Sequence, residues 1–450
     1  MIRHQYKIAG LLLILALGIC QSCKKYLGAV PDKSQAVPSD LSDVRALLNN
    51  FLVLRTYSPV MEIASDDYYL TYSGWTGLSS QVRNGYIWQD DETLSTSAWN
   101  NLYQAVFYTN LAMETLKGLP PDVEAGELKS TALFFRGYTF YFLSQMYAKQ
   151  YDETTAEKDD GIVLRLSPDG NEKSVRSTLA ATYKQIISDF KGAALNLPDH
   201  ADLHTQPSKI AAYAALARTY LVMGAYQDAS QYADSVLLFN DALIDFNDLN
   251  VSVTSPISQF NQEVIFHSST GGAASLVASR ALVDSSLYNL YEGNDLRKVI
   301  FYTKGSGNTY KFKASYNGSV GSTVFNGITS PEVYLIKAEA EARLGNTSEA
   351  MLWLNRLLIR RWKNGTFAPI EAATAEDALK KVIIERRKEL VLRCLRWTDL
   401  RRLNKEPAFR KDLTRILNNT EYELPAGDAR YILLIPQVVI DASHIPQNSR

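Results

Sequence analysis

The segment at residues 208–237 limits the possible folds most, because its pattern describes two helices joined at one glycine. The sequence is SKIAAYAALARTYLVMGAYQDASQYADSVL. Its first half repeats apolar side chains at i, i+3, i+4 and i+7, which is one helix face: Tyr213, Leu216, Ala217 and Tyr220. Gly224 interrupts the pattern, and a second apolar face follows: Tyr226, Ala229, Ala233 and Val236. We therefore predict a helix pair with a glycine turn, in which small residues let the two helices cross closely.

The same pattern returns in PEVYLIKAEAEARLGNTSEAMLWLNRLLIRR, where Gly345 takes the place of the turn. Weaker versions begin at Ser97 and Ala132. Small residues at a close crossing and a glycine turn are typical of tetratricopeptide repeats. However, Gly224 and Gly345 are too far apart for a tandem array. The sequence predicts a mostly α fold, in which a tetratricopeptide-like scaffold of helix pairs carries long, loop-rich inserts and a few short strands.

Two inserts differ in composition from the helices. Residues 239–330 are rich in Ser, Gly, Asn and Thr, with short β-prone pieces such as EVIFHSS and GNTYKFKASY. Residues 65–96 contain SDDYYLTYSGWTGLSSQVRNGYIWQDD, which combines glycines with aromatic residues. We expect irregular structure with short strands in the first insert and loops in the second.

The aromatic residues of these inserts suggest a ligand-binding platform. We expect Tyr69, Tyr72 and Trp75 to contribute to it, together with Tyr310 from the later insert. A tyrosine or tryptophan in a loop offers a flat apolar face and a polar tip, which suits the faces and hydroxyls of sugars. The alternative is that these rings only cover the helices beneath them.

The N-terminus resembles an export signal. An apolar run from Ile8 to Ile19 follows basic residues and is shorter than the roughly 20 residues that span a bilayer. Ser22 precedes Cys23 as a lipoprotein signal peptidase requires, so we predict a signal peptide at residues 1–22 and lipid on Cys23. Ordinary secretion with a free Cys23 is the alternative. Removal of Cys20 with the signal peptide and acylation of Cys23 would leave only Cys394 as a free cysteine, so we expect no internal disulfide.

The segment from Ile383 to Lys405 is rich in arginine, but acidic residues interleave with the basic ones. Pairs such as Glu389 and Arg393 would lie one turn apart on a helix. The formal net charge of the chain is −1, which gives no argument for a nucleic-acid partner. We predict a salt-bridged structural helix, in which Cys394 is a small buried core residue.

No motif predicts catalysis, a metal site or a cofactor. His200 and His204 are four residues apart, but they precede a helix in a segment that we expect to be a solvated loop. The acidic pairs at residues 66–67, 90–91 and 159–160 could serve a glycosidase, although adjacent carboxylates are common in loops. We therefore expect a protein that is not an enzyme, with a glycan-cleaving enzyme that uses Asp67 as an alternative.

An ordered set of segments resembles one family along the whole mature chain. The segments are SCKKYLG, MEIASDDYY, WNNLY, ALFFRGYTFYFLSQMYA, LYNLYEGNDLRKVIFY, YLIKAEAEARLGN, ERRKELVLRCLRWTDLRRLN and LLIPQVVIDASHIPQNSR. Together they resemble the SusD/RagB family, the nutrient-binding outer-membrane lipoproteins of Bacteroidota. One departure is Cys394, which replaces the family's usual glycine and should leave the fold intact.

The resemblance implies a function. Family members are anchored by lipid on the outside of the outer membrane and cover a TonB-dependent transporter of the SusC type. They capture oligosaccharides or peptides and catalyse no reaction. The resemblance also implies that residues 23–238 form the N-terminal helical part, and residues 239–450 a C-terminal part with the loop-rich insert and closing helices. A peptide-binding protein and a purely structural tetratricopeptide scaffold are the other hypotheses.

Overall fold

The computed structural model describes residues 38–450, so the predicted signal peptide at residues 1–22 and Cys23 lie outside the described residues. Residues Asp40–Arg450 form one compact unit. Its helices are α1 (Leu41–Leu48), α2 (Phe51–Leu54), α3 (Val60–Ala64), α4 (Tyr72–Thr76), α5 (Ser80–Tyr86), α6 (Glu92–Lys117), α7 (Val123–Tyr147), α8 (Leu179–Ala193), α9 (Lys209–Met223), α10 (Tyr226–Leu237), α11 (Ser285–Tyr288), α12 (Arg297–Ile300), α13 (Ser330–Arg343), α14 (Thr347–Leu358), α15 (Ala375–Glu389), α16 (Arg396–Leu403) and α17 (Gln437–Ser443). Short 3₁₀ turns lie at Phe246–Asp248 and Ala429–Tyr431.

The strands of the described chain are short and form two-stranded sheets. Most pairs are antiparallel; β1 and β6 are parallel. The pairs are β1 (Thr56–Tyr57) with β6 (Ser269–Thr270), β2 (Tyr68–Tyr69) with β7 (Leu282–Val283), β3 (Asp160–Val163) with β4 (Arg176–Thr178), β5 (Val264–Phe266) with β10 (Ile328–Thr329), β8 (Tyr302–Lys304) with β9 (Tyr310–Phe312), and β11 (Leu413–Leu417) with β12 (Thr420–Leu424). The mostly α prediction with a few short strands is confirmed.

The two glycine turns lie where the sequence predicts them. Gly224 ends α9 with φ of +80°, and Gly345 separates α13 from α14 with φ of +87°. A side chain would strain this left-handed backbone, whereas glycine adopts it freely. Ser208 begins α9 by accepting the N–H of Ala211 at 3.1 Å. The helix pairs α9–α10 and α13–α14 are therefore confirmed.

The helices pack in sequence into one scaffold. Helices α6 to α10 each contact the next, α10 contacts α13, and α14 and α15 pack on α13. Because helices surround α9, it is buried on nearly all sides and not only on the predicted face. Its many alanines allow these close approaches. A buried ion pair also links α7 to α8, with Arg136 Nη2 at 2.6 Å from Asp189 Oδ1.

Two hydrophobic cores underlie the structure. The first lies within the helix scaffold. The second joins the segment around α3 to α5 with the insert between α10 and α13, and it includes Tyr68, Tyr86, Ile257, Val283 and Phe325. The insert is irregular with short strands, as the sequence predicts. No helix among residues 38–450 combines the length and apolar composition needed to cross a membrane.

The predicted continuous helix from Ile383 to Lys405 is wrong. Helix α15 ends at Glu389 and α16 begins at Arg396. Between them Leu392 and Cys394 have φ of +53° and +58°, which a right-handed helix does not allow. Glycine adopts such a backbone more readily than leucine or cysteine does.

The interactions of this segment also differ from the prediction. Glu389 bonds to the guanidinium groups of Arg297 and Arg361 rather than to Arg393. Cys394 is 3% exposed, which confirms it as a small core residue, and burial raises the pKa of its thiol. Its backbone N–H donates to Glu62 Oε2 at 2.6 Å, so this turn is fastened to α3.

Candidate ligand-binding surface

Tyr72 and Trp75 lie on a short helix, although we expected a loop. Thr71 caps α4 by accepting the N–H of Gly74 at 3.1 Å. Residues at i and i+3 share one helix face, and the two ring centroids lie 6.0 Å apart. Tyr72 is 48% exposed, whereas Trp75 is half-buried. The structure therefore brings these two predicted residues together at the surface.

Hydrogen bonding holds the Trp75 ring in place. Its indole Nε1 donates to the carbonyl of Arg83 on α5 at 3.2 Å. The Arg83 guanidinium carbon lies 5.6 Å from the ring centroid, and its Nη1 donates to the carbonyl of Thr76 at 3.3 Å. A ring held in this way loses little conformational entropy when a ligand stacks on it.

A third ring, Tyr422, comes from the C-terminal hairpin β11–β12, and sequence reasoning missed it. Its centroid lies 6.4 Å from that of Trp75. The sequence did contain a signal for this hairpin, because Asn418 and Asn419 lie between two segments of alternating polarity. In the structure these two residues have φ of +48° and +64° and form the tight turn. We call Tyr72, Trp75 and Tyr422 the aromatic surface.

Tyr69 and Tyr310 lie apart from these rings. Tyr69 is half-buried in β2, opposite Leu282 of β7. Tyr310 in β9 stacks on Tyr288, with 3.5 Å between centroids and 14° between planes. One face of Tyr310 is thus already covered. Within residues 38–450, no ring contact joins Tyr69 or Tyr310 to the aromatic surface.

Other aromatic residues of the same insert belong to the core. Tyr68, Tyr86 and Trp88 are buried. The Arg415 guanidinium lies 3.4 Å from the Tyr86 ring centroid and donates to the carbonyl of Ser65 at 2.6 Å. These three rings are core residues, and Tyr68 and Tyr86 belong to the second core, against which Trp75 and Tyr422 pack.

The carboxylates at residues 66 and 67 are engaged in ion pairs. Arg396 Nε lies 2.6 Å from Asp66 Oδ1, and Arg387 Nε lies 3.3 Å from Asp67 Oδ1. Burial acts to raise the pKa of Asp66, but the guanidinium groups of Arg396 and Arg387 hold it well below its usual value. Burial raises the pKa of Asp67, which is only 1% exposed. A buried, paired carboxylate has no access to a glycosidic bond.

The histidines at residues 200 and 204 lie in the predicted loop, but only His200 is exposed. His204 is half-buried, because its Nδ1 hydrogen-bonds the carbonyl of Val264 at 2.8 Å and its ring stacks on Phe260. The expectation of a fully solvated loop is therefore wrong for His204. In residues 38–450 no three His, Cys, Asp or Glu side chains converge as metal ligands would.

Comparison with known proteins identifies the family. Residues 25–221 match the family SusD-like_3, described as starch-binding and associating with the outer membrane. Residues 282–432 match the SusD family SusD_RagB. SusD-like protein P2 of Formosa agariphila is 26% identical to this chain, and the match covers 73% of this chain and 75% of that protein.

Solved structures share the fold. A SusD superfamily protein from Bacteroides thetaiotaomicron VPI-5482 has a TM-score of 0.74 at 22% identity, covering 91% of this chain and 100% of that one. A SusD-like carbohydrate binding protein from Bacteroides vulgatus ATCC 8482 has a TM-score of 0.71 at 17% identity, covering 90% and 97%. A laminarin binding SusD-like protein has a TM-score of 0.68 at 17% identity, covering 90% and 98%. With two family matches along the chain and this shared fold, the protein belongs to the SusD/RagB family.

Proposed function

We propose that this protein is a non-catalytic, lipid-anchored protein of the outer membrane, which captures oligosaccharides and delivers them to a TonB-dependent, SusC-like transporter. The aromatic surface is the observation that carries the proposal. Rings from two distant segments meet there: the Trp75 centroid lies 6.0 Å from that of Tyr72 and 6.4 Å from that of Tyr422, and a hydrogen bond holds the central Trp75 ring.

The chemistry of the surface suits sugars. The C–H faces of pyranose rings stack on aromatic rings, while tyrosine hydroxyls hydrogen-bond sugar hydroxyls. A row of rings can cover successive sugar units, so we expect oligosaccharides to bind better than monosaccharides. The names of the solved relatives support this ligand class, since one binds laminarin and another is a carbohydrate binding protein.

The proposed transporter partner fits the exposed part of the helix scaffold. Leu238, Leu352 and Ile359 lie at or near the scaffold helices α10 and α14, and all three side chains are exposed. We propose that the scaffold faces the transporter and that the aromatic surface belongs to the ligand side.

We expect Trp75→Ala to weaken oligosaccharide binding by about 1–3 kcal/mol, the typical contribution of an aromatic anchor. Tyr72→Ala should have a smaller effect, because its ring lies at the edge of the surface. Isothermal titration calorimetry against panels of oligosaccharides and peptides measures both. Thermal melts of each variant separate loss of binding from loss of folding.

Trp353→Ala is a matched control. This indole is also half-buried, with the Arg356 guanidinium 4.7 Å from its ring, but it packs against the first core. Both variants should melt slightly earlier, and only Trp75→Ala should lose affinity. Unchanged binding by Trp75→Ala would place the site elsewhere, first in residues 239–330. Binding of peptides alone would favour the peptide-binding hypothesis, and no ligand in either panel would favour a structural scaffold.

The proposed anchor gives a separate prediction. Cys23→Ala should release the protein from membranes or leave it unprocessed, because the thiol of Cys23 is the expected site of acylation. Labelling of cells with palmitate, followed by membrane fractionation, measures both effects. Cys394→Ala is the control and should keep its label. Continued labelling of Cys23→Ala would show that the acylation site is misassigned.

A further inference from the structure

A cavity of about 280 Å³ lies apart from the aromatic surface. It opens between α3, the end of α5, the start of α6 and the segment after β12. None of Tyr72, Trp75 and Tyr422 lines it. Its volume is at or below the lower end of ligand pockets, so it can hold one ring with a short substituent.

The interior of the cavity is apolar and aromatic. Met61, Met146, Trp88 and Trp397 line it, together with Tyr431. The rings of Trp397 and Tyr431 lie 4.6 Å apart, with 31° between their planes. Such a lining favours an aromatic ring over a sugar, because methionine and leucine side chains cannot satisfy buried hydroxyls.

One polar group in the interior has no partner. Trp88 Nε1 donates to the carbonyl of Ala64 at 2.9 Å. Trp397 is only 5% exposed, and in the part of the chain that the structure describes its Nε1 has no hydrogen-bond acceptor. This nitrogen keeps some accessible surface, so water can reach it, and a ligand oxygen that replaces the water keeps the hydrogen bond.

The mouth of the cavity is acidic. Asp90, Asp91 and Glu92 line the mouth, but Asp90 is already paired with Arg450, whose Nη2 lies 2.6 Å from Asp90 Oδ1. A second guanidinium, that of Arg430, also lines the mouth. That guanidinium is already paired with Asp428, with Nη2 at 2.8 Å from Oδ2. Glu92 Oε1 accepts the N–H of Gln437 at 2.7 Å, whereas Oε2 has no hydrogen-bond donor among the described residues. Asp91 caps α6 by accepting the N–H of Leu94 at 2.8 Å, so Glu92 is the carboxylate of the mouth that can attract a cation.

We propose that this cavity binds an arylalkylamine, either free or as an N-terminal aromatic residue of a peptide. The ring lies among Met61, Met146 and the tryptophans, and a phenolic oxygen accepts the N–H of Trp397. The ammonium group lies at the mouth beside Glu92. The proposal is independent of oligosaccharide capture, because the two sites share no residue.

Matched small molecules test the proposal in calorimetry on the full chain. Tyramine is the probe, tyrosol replaces its ammonium with a neutral hydroxyl, and phenethylamine lacks its phenolic oxygen. We expect tyramine to bind about two- to fivefold more tightly than tyrosol, the effect of one exposed ion pair. Added salt should remove that difference. Phenethylamine should also bind more weakly than tyramine. Equal binding of tyramine and tyrosol at low salt, or no binding of tyramine, would overturn the proposal.

Two variants locate the ligand. Glu92→Gln should reduce the affinity for tyramine to that for tyrosol, and its Oε1 can still accept the N–H of Gln437. Glu376→Gln is the matched control, since Glu376 is also an exposed carboxylate in the first turn of a helix, α15. Ala64→Leu should fill part of the cavity and abolish binding, while a normal melt shows that the variant folds. Undiminished binding by Ala64→Leu would overturn the assignment to this cavity.

A separate experiment tests whether the ammonium group belongs to a free amine or to the N-terminus of a peptide. The peptide Tyr-Gly-Gly is compared with its N-acetylated form and with tyramine. Tighter binding of the free peptide than of tyramine supports a peptide N-terminus, and the reverse supports a free amine. The acetylated peptide should lose the charge-dependent part of the affinity. If it binds as well as the free peptide, the role assigned to the acidic mouth is wrong.

Discussion

Arg361→Met is expected to destabilise the protein by about 3–5 kcal/mol, because it leaves two buried carboxylates without their main cation. Arg361 is fully buried. Its Nε donates to Glu389 Oε1 at 2.9 Å, and its Nη2 donates to Glu263 Oε1 at 2.7 Å. Its Nη1 donates to the carbonyl of Ile244 at 2.7 Å. Methionine fills similar space but offers none of these donors.

The surroundings of Glu389 show which interaction the Arg361→Met substitution removes. Burial acts to raise the pKa of Glu389, yet the guanidinium groups of Arg361 and Arg297 hold it below its usual value. Without Arg361, Arg297 is the one described residue that remains in hydrogen-bond contact with this carboxylate, at 3.2 Å. Glu263 keeps the Tyr316 hydroxyl and the N–H of Ile244, but no cation.

Arg360→Met is the matched control, since this adjacent side chain is 54% exposed and, among residues 38–450, pairs only with Asp245, at 3.1 Å. A surface pair of this kind should change the free energy of unfolding by no more than about 0.5 kcal/mol. Urea unfolding monitored by circular dichroism measures both variants. Equal midpoints for the two variants would show that the buried network adds nothing to stability.

The second large effect is expected from Ala217→Trp, which should cost about 3 kcal/mol or more, at the top of the range for overpacking. Ala217 is fully buried on α9, where α8, α10 and α13 all pack. An indole there must push away a helix that packs on α9. We expect a sharply lower melting temperature or insoluble protein.

Ala442→Trp supplies the comparison for Ala217→Trp. Ala442 is an exposed alanine near the end of α17, so an indole at this position enters solvent. Thermal melts of both variants should differ widely, with Ala442→Trp close to the parent. If Ala217→Trp also melts like the parent, the helices around α9 are not closely packed.

Local patterns predicted the helix scaffold well. A helix and its glycine turn are encoded by residues that are close together in the chain. The apolar spacing before Gly224 and Gly345 could therefore be recognised in a single sequence. The break between α15 and α16 was missed because no glycine or proline marks it. Leu392 and Cys394 take a left-handed backbone that their own identities do not favour. Contacts such as that from Cys394 to Glu62 hold that backbone.

The candidate surface was predicted only in part, for a similar reason. Tyr72 and Trp75 are close in sequence, and their crowding with glycines was visible. Tyr422 lies near the other end of the chain, and only the packing of β12 beside α4 brings it to Trp75. The complete aromatic surface could therefore be found only from the tertiary structure, whereas Tyr72 and Trp75 could be predicted from the sequence.

The second core has a consequence for the order in which the chain can fold. The helix pairs from α6 to α10 join neighbouring segments, so they can form while later residues are still being synthesised. The strand pairs β1–β6 and β2–β7, and the contact between Trp75 and Tyr422, join segments far apart in the chain. The aromatic surface cannot be complete until the hairpin at Leu413–Leu424 has been made. A truncated chain that lacks this hairpin would keep its early helices but lose one wall of the surface that meets the ligand.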